Sequence, residues 1–468
     1  MKNDIKTPLP TKNFVLSTEP NHLLKLFEEQ KIKRIKVGGF DIDGVLRGKY
    51  ISLKKFSNIL DKGSGLCDVI FGWDISDKLY EEGKFTGWQT GYPDLIAKID
   101  LSSFRQIPWE ENTPFFLLDF YTKNGDPLVI SPRYILRKAC EELEKENFNI
   151  KHSVEYEYFI FQETPKSVMN KKFSDLNTLS SGMFGYSALK LGTHSSLMKQ
   201  IWNLLKDFNI PLEGHHTETG PGVYESAIEY DEGLNAGDKA ALFKNSVKEI
   251  VSQNNLMATF MAKWNPNLPG CSGHIHQSVW SSDGNNHFFQ TNHLDSINDL
   301  MKQFIAGQLN IMPELAVLSC PTINSYKRLQ QNTWAPTNIS WGIENRTCAI
   351  RIASPNNYKS QRIEYRLPGA DACPYISMSA AIYSGMHGIK NKFELTEPCI
   401  GSAYDVKDYK KLPGNLEEAT TLFYKSEIAR HLFGDFFVEH YAMTRRREIE
   451  QFNKTVTNWE LERYFEII

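Results

Sequence analysis

Two hydrophobic rhythms divide the chain. Apolar residues spaced three and four apart, with charged residues between them, predict helices over 21–30, 132–146, 238–253, 295–312 and 374–391. Short runs rich in Val, Ile, Tyr and Phe predict strands over 35–42, 45–53, 95–99, 115–121, 154–161, 223–230, 274–280, 339–341, 348–352 and 362–367. Asp43-Gly44 joins the first two runs as a hairpin turn. The Gly- and Asp-rich stretch 62–92 reads as loop. The tail 415–468 reads as helical and carries the basic run Arg445, Arg446, Arg447. Near 122–131 the pattern changes from short strands to long helices alternating with strands. The expected organisation is an arm (1–20), a small α+β unit (21–125) and a larger α/β unit (126–468).

Composition narrows the function classes. With 468 residues, 41% of them hydrophobic, the chain has material for a large core and exceeds one typical domain. Its net charge of -3, from 53 basic and 56 acidic residues, gives no field suited to nucleic acid or a membrane surface. Seven cysteines, none in CxxC spacing, read as reduced thiols. No leader-like apolar segment or bilayer-length apolar run is present, so a cytoplasmic protein is expected.

The strands carry unusual chemistry. Residues two apart on a strand share a face. Glu155 and Glu157 in VEYEYFIF therefore point the same way, as do His274 and His276 in GHIHQSVW, and Arg362, Glu364 and Arg366 in RIEYR. Such groups are costly on a dry face and make sense lining a solvated cavity that holds cations. Together with Glu218 and Glu225 in HHTETGPGVYE, the acids and His274 suit two hard divalent ions, Mg2+ or Mn2+. Arg328, Arg346, Arg351, Arg362 and Arg366 add guanidinium forks suited to phosphate and carboxylate oxygens. Paired metals and arginines point to phosphoryl chemistry on ATP. Neither a Walker A loop nor GxGxxG occurs. Singly, each motif has a plainer reading: ExE as a solvated strand face, HIH as surface histidines or a zinc pair, RIEYR as a salt-bridged edge. His215 and His216 are adjacent, so they face apart on a strand and read as supporting or structural.

Taken in order, VEYEYFIF, EGHHTETGPGVYE, GCSGHIHQSVW, NSYKRL, APTNISW, ENRTCAIRI and RIEYRLPGADACPY resemble the glutamine synthetase family, from about residue 35 onward. DIDGVLRGKYI and GYPDLIAKIDLSSFRQIPW resemble its N-terminal domain. The resemblance implies an α+β protein: a small β-grasp-like domain, then a catalytic α/β domain whose antiparallel sheet lines an active-site funnel. It implies homo-oligomers, commonly stacked hexameric rings, with sites shared between neighbours. Glu157, Glu218 and Glu225 match the ligands of a first metal, and Glu155, His274 and Glu364 those of a second. Arg328 and Arg366 match arginines that hold glutamate and the phosphoryl group in transfer. Arg346, Arg351 and Arg362 match phosphate or nucleotide contacts. Glu213, Tyr230, His276 and Ser278 match nucleotide-contacting positions, with Tyr230 against adenine. The implied reaction is phosphorylation of the glutamate γ-carboxylate by ATP, then attack of an amine on the acyl phosphate.

Three departures concern the small substrates. Where glutamine synthetases carry a glutamate just before AP, closing over ammonium, this chain has Trp334 in QQNTWAP. Where relatives carry Asn-Gly before the HIH strand, it has Pro269-Gly270, leaving Gly270 as the glutamate contact. The glutamine of GPGQxE is Val223. Indole cannot serve as a base for ammonium, but it offers an apolar surface and a π face to an alkylamine. Asp74 in FGWDISD is the candidate substitute acid, entering from a neighbouring subunit. The leading expectation is an ATP-dependent ligase of glutamate and an alkylamine or polyamine, resembling the γ-glutamyl-amine ligases of the family. The alternatives are ammonium-using glutamine synthetase and an inactive structural relative.

Overall fold

The computed structural model describes residues 20–281, 283–288, 297–354 and 357–468. Nearly all of the expected arm 1–20 lies outside them, as do residues 295–296 of the helix expected over 295–312, which runs Asp299–Asn310.

The first sheet holds β1 (Arg34–Phe40), β2 (Leu46–Ser52), β3 (Ser64–Cys67), β4 (Asp94–Ile107) and β5 (Thr113–Tyr121), in the order β2-β1-β5-β4-β3. β1 runs parallel to β5, and the other neighbours are antiparallel. The predicted hairpin forms because Asp41 accepts the backbone N–H groups of Asp43 and Val45, while Gly44 takes φ +77, a conformation that favours glycine. The helix Pro20–Glu29 buries Leu23 and Phe27, and Phe27 packs against Phe56, Phe104 and Phe116. The stretch 62–92 is mostly loop, yet it contains β3. Four residues, SGLC, offer too short a pattern to read, and the strand exists because β4 supplies a partner.

The second sheet holds β6 (Phe148–Phe161), β7 (Leu212–Thr217), β8 (Val223–Ile228), β9 (Asp231–Glu232), β10 (Met257–Thr259), β11 (Gly273–Ser281), β12 (Trp341–Ile343), β13 (Ile350–Ala353) and β14 (Arg362–Tyr365). Its main path is β12-β13-β14-β11-β6-β8-β7, with β9 and β10 also pairing with β6. The sheet is not wholly antiparallel as expected, because β12 and β13 run parallel. Along β6, Val154, Tyr156 and Tyr158 are buried, while Glu155 and Glu157 face the other way. The buried tyrosines meet Phe243 of the helix Gly233–Ser252 and Phe260. Helices Pro132–Glu144 and Pro374–Lys390 pack with Gly233–Ser252. One face of the sheet is thus sealed with apolar side chains, and the acids stand on the other.

Charged clamps join the two sheets. Arg133 donates to both carboxylate oxygens of Asp238 at 2.8 Å, and to Asp119 and Asp100 of the first sheet at 2.8 and 2.7 Å. The tail folds into helices Leu416–Lys425, Glu427–Phe433, Asp435–Asn453 and Asn458–Tyr464. The first residue of its basic run, Arg445, is buried against Asp43 of the hairpin turn. All seven cysteines are free thiols. Among the described residues no helix is long and apolar enough to cross a membrane.

Candidate functional site

Strand register gathers the charged residues. Glu155 pairs with His274, Glu157 with Glu225, Glu225 with His216, His276 with Glu364, and Glu364 with Arg351. Residues paired across a ladder project to one side, so six strands, β6, β7, β8, β11, β13 and β14, place these groups on the face left open by the apolar layer.

They form two clusters. In the first, one ligand atom each from Glu155, His276 and Glu364 lie within 4.8 Å of one another. His276 Nε2 lies 3.1 Å from Glu155 Oε2, while Arg362 Nε donates to His276 Nδ1 at 2.9 Å and fixes the ring. Glu364 accepts from Arg351 at 2.8 Å and also from Arg366. Burial alone would raise its carboxyl, but Arg366 and the two histidines hold it down at about 2. Glu155 is likewise held down at about 2, against the effect of burial, chiefly by His276 and then Arg362 and Arg366.

The second cluster is His216, Glu218 and Glu225, again within 4.8 Å. His216 Nε2 is 3.1 Å from Glu225 and its Nδ1 is 3.6 Å from Glu218. Tyr186 stacks on the imidazole at a centroid distance of 4.2 Å. Glu157 stands opposite Glu225 and accepts the Ser272 N–H at 2.5 Å. Burial and the neighbouring Glu225 push the Glu157 carboxyl up to about 7. Burial opposes the charged form of His216, but Glu225 and Glu218 raise it to about 9. Raised proton affinity at Glu157 and His216 together marks this cluster as short of positive charge.

Each grouping shares two residues with one of the ligand sets that the family resemblance implies. His276 stands with Glu155 and Glu364 because Arg362 donates to its Nδ1 and leaves Nε2–H to face Glu155. His274 remains adjacent, with Nδ1 3.3 Å from Glu364. His216 stands with Glu218 and Glu225, while Glu157 sits beside them on the next strand. The pattern of apolar residues signals no strand over 212–217, and so gives His216 no place beside the acids. The two histidines do face apart: His215 turns to the opposite side, where its Nδ1 meets Ser226 Oγ at 2.8 Å.

Beyond the clusters the face has two ends. At one, Ser278 Oγ accepts from Trp280 Nε1 at 2.7 Å, and the Lys151 ammonium lies 4.2 Å from the Trp280 ring and 5.5 Å from the exposed Tyr230 ring. Glu213 is exposed on β7, at the register shift between Leu212 and Gly214. At the other end Arg328 is buried and donates to the carbonyl of Leu367. A Cβ on Gly270 would come within 2.4 Å of the Ala262 carbonyl and 2.6 Å of Arg328 Cγ, so only glycine fits over that arginine. Arg366 donates to the Trp334 carbonyl at 3.0 Å. Trp334 takes φ +62, uncommon for a bulky residue, and its side chain is left in the open (63% exposed). It lines a cavity of about 710 Å³ with Ile343, Arg346, Pro398, Cys399 and Ile400. Glu344 also borders this cavity, but its carboxylate is engaged by Arg351 at 3.0 Å and by the Ser354 N–H at 2.8 Å. Asp74 caps its own turn, accepting from the N–H groups of Ser76 and Lys78 at 2.8 and 3.0 Å. Its bonds are made within the N-terminal unit.

Known proteins resemble this chain in sequence and in fold. Residues 129–464 match the family model described as "Glutamine synthetase, catalytic domain". The chain is 48% identical over 453 residues to "Type-1 glutamine synthetase 2" of Dictyostelium discoideum, covering 95% of this chain and 86% of that protein. It is 38% identical over 445 residues to the "Glutamate--isopropylamine ligase" of a Pseudomonas species, covering 94% and 96%. The solved structure "GmaS/ADP complex-Conformation 1" superposes with a TM-score of 0.82 at 24% identity, covering 95% of this chain and 99% of that one, a likeness of fold.

Proposed function

We propose that this chain, which belongs to the glutamine synthetase family of carbon–nitrogen bond-forming ligases, joins glutamate to an alkylamine or polyamine at the expense of ATP. The observation that carries the amine assignment is Trp334. The segment from Gln330 to Trp334 contains no carboxylate, and the indole opens onto a cavity walled by Ile343, Pro398 and Ile400 beside Arg366. A wall of this kind favours an amine with a hydrocarbon body over ammonium. The relative named for isopropylamine supports that reading.

Family members use ATP and divalent metals. The donor set here, oxygen-rich with one imidazole per cluster, fits Mg2+ or Mn2+. Glu155, His274 and Glu364 would hold one ion, with His276 beside them, and Glu157, Glu218 and Glu225 another, with His216 beside them. Bound ions neutralise charge on phosphate oxygens during transfer. The remaining work falls to the chain. Arg362, Arg351 and Arg346 contact phosphate, and Glu213, Tyr230, His276 and Ser278 frame the nucleotide. Gly270 and Arg328 seat glutamate, and Arg366 steadies the transferring group. The γ-phosphoryl leaves ADP and bonds to the γ-carboxylate oxygen. The amine then attacks the acyl carbon, phosphate departs and the amine sheds a proton. Asp74 of a neighbouring copy is the acid we assign to that proton, within homo-oligomeric, stacked hexameric rings. The five-stranded unit, 21–125, is read as β-grasp-like, and 126–468 as the catalytic domain.

The similarity to a protein named glutamine synthetase favours a second reading, with ammonium as the nitrogen donor. Phosphate release measured with ATP, Mg2+ and glutamate, over a panel of ammonium, methylamine, isopropylamine, ethanolamine and putrescine, decides between them. Turnover faster with an organic amine than with ammonium is expected. Release with ammonium alone would establish the second reading, and nucleotide binding without turnover on any amine would mark an inactive relative.

A further inference from the structure

The loop that carries Trp334 holds two residues of left-handed backbone, Asn332 at φ +61 and Trp334 at φ +62. For a residue as bulky as tryptophan that conformation is costly, and it persists only where the surroundings fix it. Two hydrogen bonds fall on consecutive carbonyls at this point. Arg366 donates to the carbonyl of Trp334 at 3.0 Å, and the Tyr404 hydroxyl donates to the carbonyl of Ala335 at 2.9 Å. Ala335 itself is buried. Burial pushes the Tyr404 phenol up against the opposing charges of Arg366 and Arg328, so it keeps its proton at neutral pH and is able to donate.

Tyr404 lies in the short turn Ala403–Asp405, 69 residues beyond the carbonyl it meets. The chain just before it supplies another wall of the cavity onto which Trp334 opens, with Pro398, Cys399 and Ile400. That stretch is firmly tied. The Cys399 N–H donates to the Trp341 carbonyl of β12 at 2.8 Å, and Asn345 Nδ2 donates to the carbonyls of Cys399 and Gly401 at 3.1 and 2.8 Å. The Ala403 N–H donates to Thr347 Oγ1 at 2.9 Å, and Asn338 Nδ2 donates to the Ala403 carbonyl at 2.7 Å. Residues 398–405 are thus a fixed support along one wall, and Tyr404 reaches from it to the loop that carries the other.

We propose that Tyr404 is a positioning residue for amine selection: its hydroxyl holds the backbone at Ala335 so that the Trp334 indole stands with Ile343 and Ile400 as a wall of the cavity. The inference rests on the reading of Trp334 as a contact for the amine. Without the phenol's hydrogen bond the Ala335 carbonyl loses its tie to 398–405, and the left-handed turn at Trp334 relaxes toward ordinary backbone. The indole then leaves the wall, and the hydrocarbon body of the amine loses a surface. The groups that meet phosphate and glutamate stay where they are.

Tyr404→Phe removes the hydroxyl and keeps the ring. In phosphate-release assays with isopropylamine, the KM for the amine should rise about tenfold, as the loss of one hydrogen bond implies. The kcat and the KM values for ATP and glutamate should stay within about twofold of wild type, whereas a variant harmed only in its folding loses all of them together. In a Trp334→Ala background there is no indole to place, so adding Tyr404→Phe should change the amine KM by less than about twofold. A crystal structure of Tyr404→Phe, which depends on no choice of amine, should show Trp334 moved away from φ +62. The proposal is overturned by an unmoved loop in that crystal, by an unchanged amine KM, by an equal rise in both backgrounds, or by a parallel rise in the KM values for ATP and glutamate. Turnover of the wild type with ammonium alone would instead defeat the amine reading, and the position of the loop in the Tyr404→Phe crystal would then decide the role of Tyr404 by itself.

Discussion

Glu364→Gln lowers ATP-dependent phosphate release about a thousandfold and destabilises the fold. Glu364 is 1% exposed and is the point where the site's charges meet. It accepts from Arg351 at 2.8 Å and from Arg366, lies 3.3 Å from His274, and supplies one of the three ligand atoms of the Glu155–His276–Glu364 cluster. The amide keeps the shape but not the charge, leaving the buried Arg366 without its counter-ion and Arg351 with Glu344 alone. Breaking a buried pair in this way costs about 3–5 kcal/mol. The loss of turnover has a separate cause, since a weakened ligand set and a misplaced Arg366 both raise the barrier to phosphoryl transfer, with group removals of this kind worth roughly 10²–10³-fold each. Steady-state phosphate release and urea unfolding, measured on the same preparation at a temperature where circular dichroism shows the variant folded, separate the two effects. Turnover within a few-fold of wild type would remove Glu364 from the catalytic site.

Trp334→Glu shifts preference from organic amines toward ammonium by about 10- to 100-fold in the ratio of kcat/KM values, the range over which pocket contacts discriminate between small substrates. The new carboxylate would stand in the mouth of the cavity, beside Ile343 and Ile400, where it withdraws apolar surface and adds a base. The backbone at this position is held at φ +62, with its carbonyl on Arg366, so the substitution changes the side chain while Arg366 keeps an acceptor. Competition assays with isopropylamine and ammonium at saturating ATP and glutamate give the ratio. An unchanged ratio would make Trp334 a packing residue of its loop and leave the amine to other walls.

Much of the catalytic face is legible in the amino-acid sequence. The VEYEYFIF run forms part of β6, and its alternation correctly puts Glu155 and Glu157 on one face and the tyrosines on the other. The RIEYR and HIH runs fall on β14 and β11, whose ladder pairs Ile275 with Tyr365 and His276 with Glu364. What the sequence hides follows from physical causes. The segment LEGHHT gives no strand signal, because glycine and paired histidines break the apolar alternation, so periodicity assigns His216 no face. β3 is four residues long and forms only because β4 pairs with it. The placing of His276 against Glu155 depends on Arg362, a partner 86 residues away, which fixes that ring. Periodicity says which residues share a face, but not which of them a distant side chain will steer.

That one face of the nine-stranded sheet gathers acids and imidazoles around a shared pair of divalent cations is tested most directly by crystals soaked in Mn2+ and measured at the manganese absorption edge. The expected anomalous map has one peak bounded by Glu155, His274 and Glu364 and another bounded by Glu157, Glu218 and Glu225. A map without a peak in either cluster, at Mn2+ concentrations that saturate turnover, would contradict it.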